Sequence, residues 1–197
     1  MKGFILSFVE LGYLTLQFPH ELSVYMERMP KLRIMELIVL FFASLSFSTG
    51  LYQLRDYYSQ FYLLHISLLA SVVFSFLTLF FTFLSSYFDS SLASSRSLSA
   101  AGKTSSARSI LHLSSFAFWF FHPASMILHL FNVSEMLLFP MIVLFVAWAM
   151  SIQAKGLQYL YEVTWRDFFK QYLFASGIAI AFPVIAVFSV LFLGVFS

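Results

Sequence analysis

Ionisable side chains inside long apolar stretches are the residues of this chain whose type and position could do chemistry, because a charge in hydrocarbon is costly and is kept for a purpose. His122 is the foremost of them, deep in an uncharged run and followed by Pro123. An imidazole there could relay a proton or ligate haem iron. Pro123 lacks an N–H and so frees the carbonyl of Trp119. A neutral imidazole bonded to that carbonyl or to a neighbouring serine satisfies the position without chemistry, and this is the preferred reading. His65, His129 and Glu135 are a second set, because each lies near the end of an apolar run and alternating runs bring those ends to one level. Two imidazoles and a carboxylate could hold a divalent metal, although interfacial His and Glu also serve simply as snorkelling residues. His112 falls at the inner end of a run and is expected to be wet. Glu36 follows Arg33 by three and Glu162 precedes Arg166 by four, both helix-surface pair spacings. There is no Gly-rich phosphate loop, no H-E-x-x-H, no G-x-S-x-G and no pair of aspartates inside a span. No catalytic residue, cofactor or metal is assigned, and the chain is read as non-enzymatic.

The elements that must carry these residues follow from composition. Hydrophobic types make up 60% of the 197 residues and charged types 10%, against about 45–50% and about 25% in soluble proteins. With 27 Phe, 10 Tyr and 3 Trp, the apolar surface exceeds what a globule this size can hide, so the lipid bilayer is the expected solvent. A net charge of +2 offers no surface for nucleic acid, and the absence of cysteine removes disulfide frameworks and thiolate metal sites.

A helix crosses the bilayer with about 20 apolar residues. Five uncharged runs qualify: between Glu36 and Arg55, Asp56 and Asp89, Arg108 and Glu135, Glu135 and Lys155, and after Lys170. These predict an all-α polytopic membrane protein with spans near 34–53, 61–84, 110–131, 135–153 and 172–195. Residues 1–33 predict an interfacial amphipathic lead, broken at Pro19, with a second short helix ending near Pro30. The Ser-rich stretch 85–109 reads as a flexible cytoplasmic linker, and 156–170 as an interfacial helix with an aromatic belt. Asn132-Val133-Ser134 forces a tight hairpin with Asn132 or Ser134 as N-cap; pressed against the bilayer, the tripeptide is a poor glycosylation acceptor.

Of the 11 Lys and Arg, only Arg55 falls on the far side of this arrangement. Positive charge is retained on the cytoplasmic side, which predicts a cytoplasmic N-terminus and a C-terminus on the opposite face. Small residues at four-residue spacing (Ser44 and Ser48, Ser46 and Gly50, Ala175 and Ala179, Gly177 and Ala181) mark faces where helices approach closely. Pro123, Pro140 and Pro183 fall within spans three, four and five and are expected to bend them, as static kinks in the preferred reading.

The layout resembles the Ypt-interacting-protein (Yip) membrane family. Pro19 lies in the lead, Gly102 in the connection before span three and Pro123 within that span. Trp148 closes the fourth span, followed by Ala154-Lys155-Gly156-Leu157 and an amphipathic stretch through Thr164 and Asp167 into an uncharged final run. Without a long N-terminal region or an acidic aromatic motif, the chain is most similar to the compact bacterial members. The resemblance implies a five-span bundle of scaffold or accessory type and carries over no site residue. The expected partners are lipid and other membrane proteins or copies of this chain, in a bacterial inner membrane. The alternative is a transport component that moves an ion, proton or lipid past His122 and the proline bends.

Overall fold

A computed structural model describes residues 2–26, 32–54, 61–93, 103–131, 134–178 and 181. Among them the chain is all-helical and has no strand. The elements are α1 (Lys2–Gln17), α2 (Leu22–Met26), α3 (Leu32–Leu54), α4 (Tyr62–Ala93), α5 (Lys103–Leu113), a 3₁₀ segment (Ser114–Phe120), α6 (Phe121–Leu130) and α7 (Ser134–Tyr161). An eighth helix, α8, is described over 165–178. Among the described residues four stretches are long and apolar enough to cross a membrane: Leu32–Gln53, Tyr62–Ser91, Ser105–Leu130 and Met136–Tyr161. Most of the fifth expected span, 172–195, lies outside the described residues.

The third stretch is the axis of the bundle. Of its most apolar window 56% is buried, against 17% for that of α4. α3 packs along the whole of it, α7 against the 3₁₀ segment and α5, and α1 against the 3₁₀ segment. α1 buries Leu11, Gly12 and Thr15, with Gly12 against the Phe116 ring, and leaves Ile5, Leu6, Val9 and Tyr13 exposed. That outward face is the apolar stripe an interfacial helix needs. The chain then breaks at Pro19, where the Leu22 N–H bonds back to the Pro19 carbonyl. The expected end of the second short helix near Pro30 lies outside the described residues.

Several boundaries differ from the sequence expectation. The 85–109 linker is helical at both ends: α4 continues to Ala93 and α5 begins at Lys103. Ser-rich composition suggests flexibility, but Ser85 and Ser86 return their hydroxyls to the Thr82 carbonyl, Ser90 to that of Tyr87 and Ser109 to that of Ser105, within the helices that flank it. The 156–170 stretch is not one interfacial helix either. α7 runs on to Tyr161 with Ala154 and Leu157 fully buried. It ends where Glu162 adopts φ 53° and the Val163 N–H reaches the Gln158 carbonyl, the left-handed cap of a Schellman motif. Thr164 then caps α8 by accepting from the Asp167 N–H. Glu162 and Arg166 therefore do not share a helix face.

The small-residue faces separate in the same way. Ser44, Ser48 and Gly50 are buried, and α3 approaches α6 so closely that a Cβ on Gly50 would stand 2.6 Å from the Phe121 ring. On α8 Ala175 is buried, whereas Gly177 has nothing within 4 Å and Ala181 is exposed, so that face carries no close approach here; Ala179 lies outside the described residues. α8 packs its inner end on α4 through Phe168 and Tyr172 against Phe88, and the Tyr87 hydroxyl bonds Gln171 Oε1 at 2.9 Å.

Candidate functional site: a buried carboxyl, imidazole and hydroxyl

The sharpest departure from expectation lies where α3 meets α5. Glu36, expected to pair with Arg33 at the surface, is 4% exposed, and His112, expected to be wet, is 6% exposed. Helix geometry is the cause. Glu36 is on the face of α3 that also buries Met35, Val39 and Leu40, while Arg33 points outward. Ser105, Ser109 and His112, four and then three residues apart, share one stripe of α5. His112 Nδ1 lies 2.9 Å from Glu36 Oε2, and Ser109 Oγ lies 2.5 Å from Glu36 Oε1 and 3.0 Å from the Ser105 carbonyl. The Phe81 ring of α4 stands 6.0 Å from the imidazole. His112 Nε2 is buried without a partner.

This is not a nucleophilic triad. Such a triad needs the imidazole between hydroxyl and carboxylate, so that it can take the hydroxyl proton. Here the carboxyl sits in the middle, and Ser109 is bonded to Glu36 rather than to His112. The arrangement joins two helices through buried hydrogen bonds.

About two turns further along, the ladder of the third stretch opens and is closed by α3. Pro123 supplies no N–H to the Trp119 carbonyl, and the preceding turns tighten into the 3₁₀ segment. Ser46 of α3 enters the gap: its hydroxyl donates to the Trp119 carbonyl at 3.1 Å and accepts from the His122 N–H at 3.0 Å. Trp119 Nε1 donates back to the Val39 carbonyl at 3.0 Å. A serine thus takes the freed carbonyl, while His122 Nδ1 itself is buried and unpartnered. Replacing Ser46 by Ala strips both backbone groups at once. We expect a loss of about 2 kcal/mol, from about 1–3 for each unsatisfied buried group partly offset by water, read as a lowered unfolding midpoint in detergent.

His65 and His129 lie on α4 and α6 at the same end of the bundle as the start of α7, with His65 6.3 Å from the Tyr52 ring. The side chain of Glu135 lies outside the described residues. Among the described residues no group of three His, Cys, Asp or Glu could hold a metal. Pro140 sits within α7, which continues through it; Pro183 is outside the described residues.

Outside the spans, burial and then a hydrogen bond to Glu10 push the Tyr25 hydroxyl up from 10.0 to about 12. The folded state holds this proton more tightly than the unfolded one, so its contribution is complete below pH 10 and is lost as pH rises to about 12. A phenolate absorbance titration is expected to show a late component whose amplitude falls by one tyrosine in Tyr25→Phe.

No family model, no curated protein and no solved structure matches the chain.

Proposed function

We propose that this chain is a non-enzymatic membrane protein of the compact Yip type, with five spans, that works by association with other membrane components as an adaptor, assembly factor or accessory subunit. Its N-terminus is cytoplasmic and its C-terminus lies on the opposite face, in a bacterial inner membrane. One observation carries the reading: among the described residues, the outer half of α4 is largely exposed. From Phe61 to Leu69 no residue is buried, and Leu63, Leu68, Val72 and Leu79 are all more than half exposed. The groups capable of chemistry are meanwhile turned inward and joined to one another between α3 and α5. A helix presented this way offers aromatic and aliphatic side chains to a second helix without rearranging its own bundle.

A photo-crosslinking residue at Leu68 or Val72, activated in native membranes, tests this. Discrete protein adducts are expected at both positions. Adducts with lipid alone would contradict the reading.

The second reading, a transport component, is favoured by buried polar atoms without partners around the third stretch: His112 Nε2, Ser115 Oγ and His122 Nδ1, with Ser48 Oγ on α3 and Gln153 Oε1 on α7. Buried polar groups normally find a partner or an ordered water. Proton or ion flux in liposomes that falls on His122→Phe would support this reading, and unchanged flux would count against it.

A further inference from the structure

We infer that one flank of α4, the stripe of Phe80, Leu77, Val73 and Ile66, is the docking surface for residues 179–197 of the same chain, which lie antiparallel along it. The inference rests on the five-span reading and deepens it. α8 and α4 already meet where α4 ends and α8 begins. Phe168 and Tyr172 lie against Phe88, the Tyr87 hydroxyl bonds Gln171 Oε1, and the Phe174 ring stands 6.2 Å from that of Tyr87. One step further along, Ala175 is fully buried in the cluster that holds Leu84. Gly177 and Ala181, on the other side of α8, are exposed.

Register, spacing and length carry this contact onward. From the buried pair Tyr172 and Ala175, steps of four and three residues continue through Ala179, Phe182, Ala186 and Ser189, the repeat of one helix face. The contacts of Gln171 with Tyr87 and of Tyr172 with Phe88 set the level of the two helices. At that register Ala179, Phe182, Ala186 and Leu193 fall level with Phe80, Leu77, Val73 and Ile66, all four apolar and half-buried. Small residues then meet large ones, which lets two helices approach closely where lipid gives no hydrophobic drive between them. The 19 residues from Ala179 to Ser197 rise about 28 Å as a helix, enough to cover the roughly 27 Å of α4 from Phe80 back to Tyr62. They carry no charge, as an occupant of this apolar stripe requires. Pro183 need not end the helix, since α7 continues through Pro140. Leu68, Val72 and Leu79 lie on the neighbouring stripe of α4 and stay open to a second protein.

Paired cysteines in the full chain, oxidised in isolated membranes, test the docking: Val73→Cys with Ala186→Cys, and Ile66→Cys with Leu193→Cys. Each pair is expected to form a disulfide within one chain. The yield should exceed that of Ser71→Cys with Ala186→Cys about tenfold, because Ser71 is on the exposed far side of α4 and Cα atoms more than about 7 Å apart are not bridged. Disulfides between two chains, which would put a second copy on this stripe, would overturn the inference. So would the absence of a bond within the chain at both pairs, which would leave the stripe to lipid. The pairs lie about two turns apart on α4, so one still decides the matter if the other does not fold. Ser197→Cys separates this failure from that of the five-span reading. A thiol reached from outside with neither pair linked removes the docking alone, whereas a thiol reached only from inside removes both.

Discussion

Glu36→Leu is expected to lower stability by about 3 kcal/mol, while the double variant Glu36→Leu, His112→Leu recovers about 2 of them. The single change leaves the His112 Nδ1–H buried without an acceptor, and moving the hydrogen to Nε2 does not help because that atom has no partner either. An unsatisfied buried donor costs about 1–3 kcal/mol, and breaking a buried polar pair from one side costs about 3–5, whereas replacing both partners with apolar groups is close to neutral. Unfolding midpoints in detergent for the two single variants and the double give the coupling directly. Additive losses would mean that the two side chains do not depend on each other.

Gly50→Leu should have an effect of similar size for a different reason. Its added Cβ alone would meet Phe121 Cδ1 at 2.6 Å and Cε1 at 2.9 Å, with Ser125 Oγ at 3.1 Å. Phe121 is fully buried against Phe47 and Phe145 and has nowhere to go. Overpacking of this kind costs about 1–3 kcal/mol, and the upper end is expected for a leucine at a helix crossing. Gly177→Ala is the matched control. Nothing lies within 4 Å of Gly177, so the change should gain about 0.5–1 kcal/mol from helix propensity alone. Thermal unfolding in a fixed detergent separates the two.

Charge gaps made the four spans legible in the sequence, because hydrocarbon tolerates so few charges that their spacing sets where helices cross. The small residues of α3 were equally readable, since Ser44 and Ser48, and the offset pair Ser46 and Gly50, each repeat at the four-residue spacing that stays on one helix face. The site was not. Glu36 stands three residues from Arg33, and distance along the chain does not say which of the two turns inward. Ser105, Ser109 and His112 have helical spacing, but the serines around them read as a linker, and the composition does not show that α5 already begins at Lys103. The role of Pro123 was half visible. Its missing N–H identifies the Trp119 carbonyl as needing a donor, but not that Ser46, on another helix, supplies it.

The path of the chain through the membrane is directly measurable, because the sequence has no native cysteine. Single cysteines at Ser59, Ser97 and Ser197, probed in intact cells with a membrane-impermeant maleimide, report the side on which each lies. Ser59→Cys and Ser197→Cys are expected to react from outside, and Ser97→Cys only after the membrane is opened. Reaction of Ser97→Cys and Ser197→Cys from the same side would contradict this path.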